Sequence, residues 1–282
     1  MPFAEKIVWI TGASSGIGAA LASACLAQGA QVILSGRRAE ALQQVAAQAP
    51  ARCRVMPFET TDYDALPALV EDAWSWRGRI DLLINNAGIS QRSLALDTGL
   101  EVYRQLIEVD YLAPLALTQL LLPKMVERRA GHLAVVSSVA GKVGTPLRSG
   151  YCAAKHAVIG YFDAIRAEVE QAYGIHVSVI LPGSVQTAIA TNALAGDGSR
   201  RGHSDPNIDN GMNVSLAAER ILAGLAEHRR EIPIAEGMEL LALQLRVGNP
   251  EQLFAFTAKE GARLAALRET GGSLDPSDIR SR

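Results

Sequence analysis

Short apolar runs alternate along the chain with longer stretches in which apolar positions recur at helical spacing. The runs at 7–10, 31–35, 53–58, 82–84, 133–137, 177–181 and 232–235 read as strands, because a strand covered on both faces is apolar at consecutive positions. Between them the spacing predicts helices near 17–28, 39–49, 64–77, 100–129, 151–173 and 217–229. Strand and helix in strict alternation predict an α/β fold: one Rossmann-type, doubly wound parallel sheet with helices on both faces and ligands at the carboxyl ends of its strands. No repeat and no low-complexity linker divides residues 1–282, so a single dinucleotide-binding and catalytic domain is expected. It carries a lid at 187–215, where Gly, Asp, Arg, Asn and Ser gather, and a helical C-terminal extension at 238–270.

Composition narrows the partners. With 49% hydrophobic residues the chain can fill a core on both sheet faces, and a net charge of -2 gives no electrostatic case for nucleic acid. Cys25, Cys53 and Cys152 suggest neither a disulfide framework nor a metal cluster. The first strand begins almost at Met1, which leaves no room for a signal peptide. No uninterrupted apolar stretch reaches bilayer length. A cytoplasmic location without a transmembrane segment is the expectation.

The chemistry is concentrated at Tyr151 and Lys155, four residues apart on the predicted helix, with Ser138 thirteen residues before the tyrosine. Helical spacing puts both side chains on one face, one turn apart. A phenol, whose free pKa is about 10, needs such a neighbour to exchange protons near neutrality. Unit charges about 4 Å apart interact by roughly 4 kcal/mol at an effective dielectric near 20, equivalent to about 3 pKa units. Tyrosine as acid/base, lysine as tuner and serine as hydrogen-bond donor form a set suited to a carbonyl/alcohol pair.

At the N-terminus the run 7–10 leads into Thr11-Gly12-Ala13-Ser14-Ser15-Gly16-Ile17-Gly18 and then an Ala/Leu-rich stretch. Strand, glycine-rich turn and helix together allow backbone amides and a helix N-terminus to approach a pyrophosphate. On these residues, with Asn85-Asn86-Ala87-Gly88, Ser138, Tyr151, Lys155, Pro182-Gly183 and Thr187 in order and spacing, the chain resembles the short-chain dehydrogenase/reductase family. The likeness runs from about residue 6 to 187 and more weakly to 235. The tail at 191–202, with Asp197-Gly198-Ser199, is also loosely similar to NADP-linked reductases of lipid- or steroid-like ketones.

The resemblance implies a nicotinamide cofactor on Gly12, Ser14, Ser15, Gly16, Ile17 and Gly18. Asn86, Ala87 and Gly88 would lie under the adenosine ribose, and Glu59-Thr60 would flank the adenine. Pro182, Gly183, Val185 and Thr187 would frame the nicotinamide, with Tyr151 and Lys155 at its ribose. The second strand ends in Ser35-Gly36-Arg37-Arg38, without the carboxylate that accepts the ribose hydroxyls in NAD-binding members of the fold. Two cations stand there instead, so NADP(H) is favoured over NAD(H). Ser14-Ser15 nevertheless lacks the basic residue that some NADP enzymes carry in the turn.

Asp110, twenty-eight residues before Ser138, departs from the family, which usually has an asparagine there whose backbone carbonyl holds a water beside the lysine. Asp110 is therefore grouped with the catalytic candidates Ser138, Tyr151 and Lys155, either ionised near Lys155, or protonated, or turned away onto a helix. The implied activity is NADP(H)-dependent interconversion of a ketone or aldehyde and an alcohol, without a metal. Its rival is a catalytically silent nucleotide-binding regulator or scaffold, which predicts a damaged Ser/Tyr/Lys set. The substrate is read as a small carbonyl compound or alcohol, with an apolar or lipid-like one allowed by Ile189 and Leu194. Arg200, Arg201 and His203 could receive an anionic head on such a ketone, and a solvated polar loop is the favoured reading. A homodimer or homotetramer through the long helices at 100–129 and 151–173 is expected.

Overall fold

The computed structural model describes residues 1–272 and Leu274. The strands are β1 (Ile7–Thr11), β2 (Gln31–Gly36), β3 (Cys53–Pro57), β4 (Leu82–Asn85), β5 (Gly131–Val136), β6 (Ile175–Pro182) and β7 (Glu231–Ile234). They form one seven-stranded sheet in the order β3-β2-β1-β4-β5-β6-β7, with every neighbouring pair parallel. The order reverses at β1, between β2 and β4, and opens the crevice in which such sheets hold ligands.

Alternation along β1 shows how the strands serve two cores. Val8 and Ile10 pack on one face with α1 (Gly16–Ala27), while Ile7 and Trp9 enter the other. Trp9 is fully buried and donates its indole N–H to Ser35 Oγ at 2.8 Å. Removing such a ring costs about 3–5 kcal/mol through the cavity left behind. Helices α2 (Ala39–Ala46) and α3 (Leu66–Ser75) connect the β2–β3–β4 side of the sheet.

The stretch expected as one helix from 100 to 129 is α4 (Leu100–Ile107), a π-helical segment at Glu108–Leu112, and α5 (Ala113–Arg128). Pro114 supplies the reason. It has no N–H for the carbonyl four residues back, that of Asp110, so the regular ladder cannot run through. By length and composition Leu100–Arg128 could cross a membrane, yet Leu117, Leu121 and Met125 are buried in the core, as in the inner helix of a globular domain. Next comes α6 (Ser149–Tyr173), which begins two residues before its expected start and lies against the same face.

Residues 183–213 cross the carboxyl edge of the sheet and contain the short α7 (Pro206–Asp209). Within them Ala190, Ala193, Leu194, Ile208 and Met212 are buried. The solvated reading of Arg201 is corrected here: its side chain is 7% exposed and lies 3.4 Å from the buried Asp205 carboxylate, which also takes Arg92 at 3.0 Å. α8 (Val214–Ala226) packs on α1 and leads to β7.

The C-terminal extension is a hairpin of α9 (Gly237–Gly248) and α10 (Pro250–Glu269). Pro250 begins the second helix, and Asn249 caps it by accepting from the Gln252 N–H. The hairpin is fastened to segments that follow three strands. Arg268 pairs with Asp97 after β4, Leu253 packs on Val139 and Val143 after β5, and Glu239 reaches Ser184 after β6.

Candidate active site

The turn from β1 into α1 is built by close packing. Thr11 Oγ1 accepts from the amides of both Asn86 and Ala87 at 3.0 Å, and Asn86 Nδ2 donates to the Thr11 carbonyl at 2.9 Å. Gly18 sits against this knot: a Cβ there would lie 2.5 Å from Asn86 Nδ2 and still closer to the Gly12 carbonyl oxygen. Only a glycine lets α1 begin so near β4. The space in front of the turn is bounded by the helix N-terminus at Ser15–Gly16, an arrangement that suits a pyrophosphate. Ile17, by contrast, is partly buried against the core, so its side chain serves packing and only its backbone faces the turn.

At the end of β2, Arg38 reaches over the turn and donates to Ser14 Oγ at 3.1 Å and to the Ser14 carbonyl at 3.3 Å. Arg37 pairs with Glu59 at 3.5 Å, both side chains well exposed. The two expected cations therefore differ: one stands over the glycine-rich turn, whereas the other is drawn toward the residue expected beside adenine. Thr60 and Ala87 line one depression together with Thr11 and Val109.

Ser138 follows β5 with its hydroxyl accepting from the Ala140 amide at 3.1 Å and donating to the Pro182 carbonyl at 3.2 Å. The Ser138 loop and the Pro182-Gly183 turn are thus brought together across β5 and β6. Val185 is bridged to Met212, and Thr187 comes within 3.2 Å of where a Gly16 Cβ would stand. The segment expected at the nicotinamide end thereby faces the glycine-rich turn.

Tyr151 and Lys155 occupy successive turns of α6, with the lysine ammonium 5.7 Å from the tyrosine ring centre. Lys155 is buried, and its Nζ donates to the Val136 carbonyl at 3.1 Å. Its own carbonyl accepts from Ser137 Oγ at 3.0 Å, which ties α6 to the end of β5. Tyr151 packs with Val102, Leu106, Ala154 and Leu194, an apolar wall beside the phenol.

Asp110, on the π segment, is turned inward toward Lys155 and not away onto a helix. Oδ1 accepts from the Ile89 amide at 2.8 Å, and Oδ2 lies 3.8 Å from Lys155 Nζ. Burial pushes this carboxyl up to about 6, against the opposing pulls of the Lys155 ammonium and the Ile89 amide. Gly88 makes the approach possible, since a Cβ there would stand 2.9 Å from Oδ1 and 3.2 Å from Nζ.

Two supporting side chains escaped the sequence reading. Gln91, fully buried, accepts at Oε1 from the amides of Gly150 at 2.8 Å and Tyr151 at 3.4 Å, and so caps the helix that carries the tyrosine. Glu239 accepts from the Ser184 amide at 2.8 Å and the Ser184 hydroxyl at 2.7 Å. Each contact joins residues more than fifty positions apart. The Ser90-Gln91 polar pair inside an otherwise loop-like stretch was the only local signal for the first. For Glu239 no local signal exists.

Residues 6–198 match the sequence model of the short chain dehydrogenase family. The "Dehydrogenase/reductase SDR family member 7B" of Bos taurus is 39% identical over 269 residues, covering 92% of this chain and 82% of its own. Among solved structures, a short chain dehydrogenase from Burkholderia cenocepacia in complex with NADP superposes with a TM-score of 0.77 at 25% identity, covering 91% of this chain and 99% of that one. A short chain dehydrogenase/reductase from Burkholderia phymatum in complex with NAD reaches 0.79 at 22% identity over 89% and 96%, a likeness of fold.

Proposed function

The chain belongs to the short-chain dehydrogenase/reductase family, and we propose that it is an NADP(H)-dependent oxidoreductase interconverting a ketone or aldehyde and an alcohol. The observation that carries this reading is the placement of Tyr151 and Lys155 on one face of α6, 5.7 Å from ring centre to ammonium, with the Ser138 loop fastened to the Pro182 turn beside them. The residues present suit the dinucleotide: a glycine-rich turn at a helix N-terminus, Arg38 above that turn, and Thr187 opposite Gly16. A nicotinamide dinucleotide held by these residues would supply the hydride for reduction of the carbonyl carbon and accept it in oxidation. Ser138 turns its hydroxyl from the Pro182 carbonyl to the substrate oxygen and stabilises the charge that grows there. Tyr151 gives that oxygen its proton, and Lys155 provides the positive charge that eases the proton's departure. In oxidation Tyr151 and Ser138 exchange these hydrogen bonds in reverse.

Arg38 favours the phosphorylated cofactor through its place over Ser14. The apolar wall of Val102, Leu106 and Leu194 beside Tyr151 favours an apolar carbonyl substrate. Ser138, Tyr151 and Lys155 are all present, which supports this reading over the silent scaffold. The experiment is NADPH oxidation with ketones graded from small polar ones to long-chain and steroid-like ones, run beside Tyr151→Phe. The variant should bind NADPH like the parent and turn over at least about a hundredfold more slowly, the ordinary scale of a lost general acid. Equal turnover refutes the assignment.

A further inference from the structure

Asp110 has half of its carboxylate committed and half spare. Oδ1 is held by the Ile89 amide, whereas Oδ2 is buried without a hydrogen-bond partner and faces the Lys155 ammonium from 3.8 Å. An uncompensated buried oxygen is costly, so its persistence next to the lysine asks what it does there. The centre of the Tyr151 ring lies 5.7 Å from the same ammonium. Carboxylate and phenol thus have one ammonium as a common neighbour. We propose that the Asp110 side chain is a positioning residue for Lys155, which holds the ammonium back from Tyr151 and raises the pH at which the tyrosine exchanges its proton. This deepens the oxidoreductase reading and rests on it for the role of Tyr151.

The surroundings leave Lys155 as the charged group that faces Asp110. On the same turn Glu108 points outward to the Tyr63 hydroxyl at 2.5 Å, and Tyr111 packs into the core with Tyr161 as its neighbour. Arg104 and Glu101 on α4 pair with one another at 2.6 Å, and Lys124 on α5 pairs with Glu71 at 2.7 Å. On α6 the ring of His156 is turned to the Cys152 carbonyl at 2.8 Å. After β4 only backbone approaches, the Ile89 amide and Gly88. Burial raises the Asp110 carboxyl, whereas the Lys155 ammonium 3.8 Å from Oδ2 favours its ionised form. A negative charge there opposes the positive field at the phenol. Replacement by asparagine keeps the acceptor for Ile89 and removes the charge, so the tyrosine should ionise more readily.

The test is the titration of Tyr151 itself, obtained as the difference in ultraviolet phenolate absorbance between each protein and its Tyr151→Phe counterpart, in the parent and in Asp110→Asn. It needs no substrate, so it reads the pair even if no tested ketone is turned over, and failure of the oxidoreductase reading stays separable. The expected result is an acidward displacement of the Tyr151 midpoint by up to about one pH unit. The pH profile of alcohol oxidation should move in parallel. Asp110→Ser removes the same charge with less volume and supplies the reading if the amide is not accommodated. An unmoved midpoint or an alkaline displacement overturns the proposal.

Discussion

Arg38 offers the sharpest test of cofactor choice because it combines an exposed position with a defined contact. Its guanidinium touches Ser14 Oγ at 3.1 Å over the glycine-rich turn, while its backbone begins α2 without a side-chain capping bond. Arg38→Leu should therefore leave the fold intact. A charge-assisted hydrogen bond to a phosphate contributes about 1.5–3 kcal/mol, and about 1.4 kcal/mol is a factor of ten in affinity. The loss expected for NADPH is thus roughly 10- to 100-fold, toward the lower figure because an exposed cation is screened by salt. Arg37 is already paired with Glu59 at 3.5 Å, with side chains 65% and 42% exposed, so Arg37→Leu should weaken NADPH less. NADH lacks the 2′-phosphate, and its affinity should hold in both variants. Fluorescence titration of each cofactor at low and moderate ionic strength reads these numbers directly. The salt dependence of NADPH binding should flatten in Arg38→Leu. An unchanged NADPH/NADH ratio, or equal weakening of both cofactors, would show that Arg38 braces the turn and does not read the phosphate.

Beyond the Tyr151 and Asp110 experiments, the C-terminal hairpin and the long helices give two more expectations. Glu239→Ala removes two hydrogen bonds to Ser184 and should speed tryptic cleavage at Arg246 while the melting of the sheet stays in place; unaltered protection would mean that Leu253, buried on Val139 and Val143, is enough to hold the hairpin. The chain should sediment as a dimer or larger at micromolar concentration through a self-complementary contact of α4–α5 with α6, and a species of only 30.0 kDa would refute it.

What could be read from the residues alone follows the range of the forces involved. Strands buried on both faces are continuous apolar runs by necessity, so β1, β2 and β4 to β6 stood out, and their ends came within about two residues because hydrogen-bonded ends fray. The catalytic and cofactor motifs were legible for a related reason: they are local, a turn between a strand and a helix or two side chains one helical turn apart. The π segment was not, since a single extra residue in a turn hardly disturbs a pattern of apolar positions. Its trace was Pro114, an imino acid placed where the Asp110 carbonyl needs an amide. Asp110 shows the limit most clearly. Its departure from the family was visible, yet whether the carboxylate faced the lysine depended on Gly88, on the Ile89 amide and on α6, none of them near it in sequence. The same holds for Gln91 under the start of α6 and for Glu239 on Ser184. Local chemistry announces which groups can react. Contacts between distant segments determine the field in which they do so, and at Lys155 a phenol and a carboxylate lie near one ammonium.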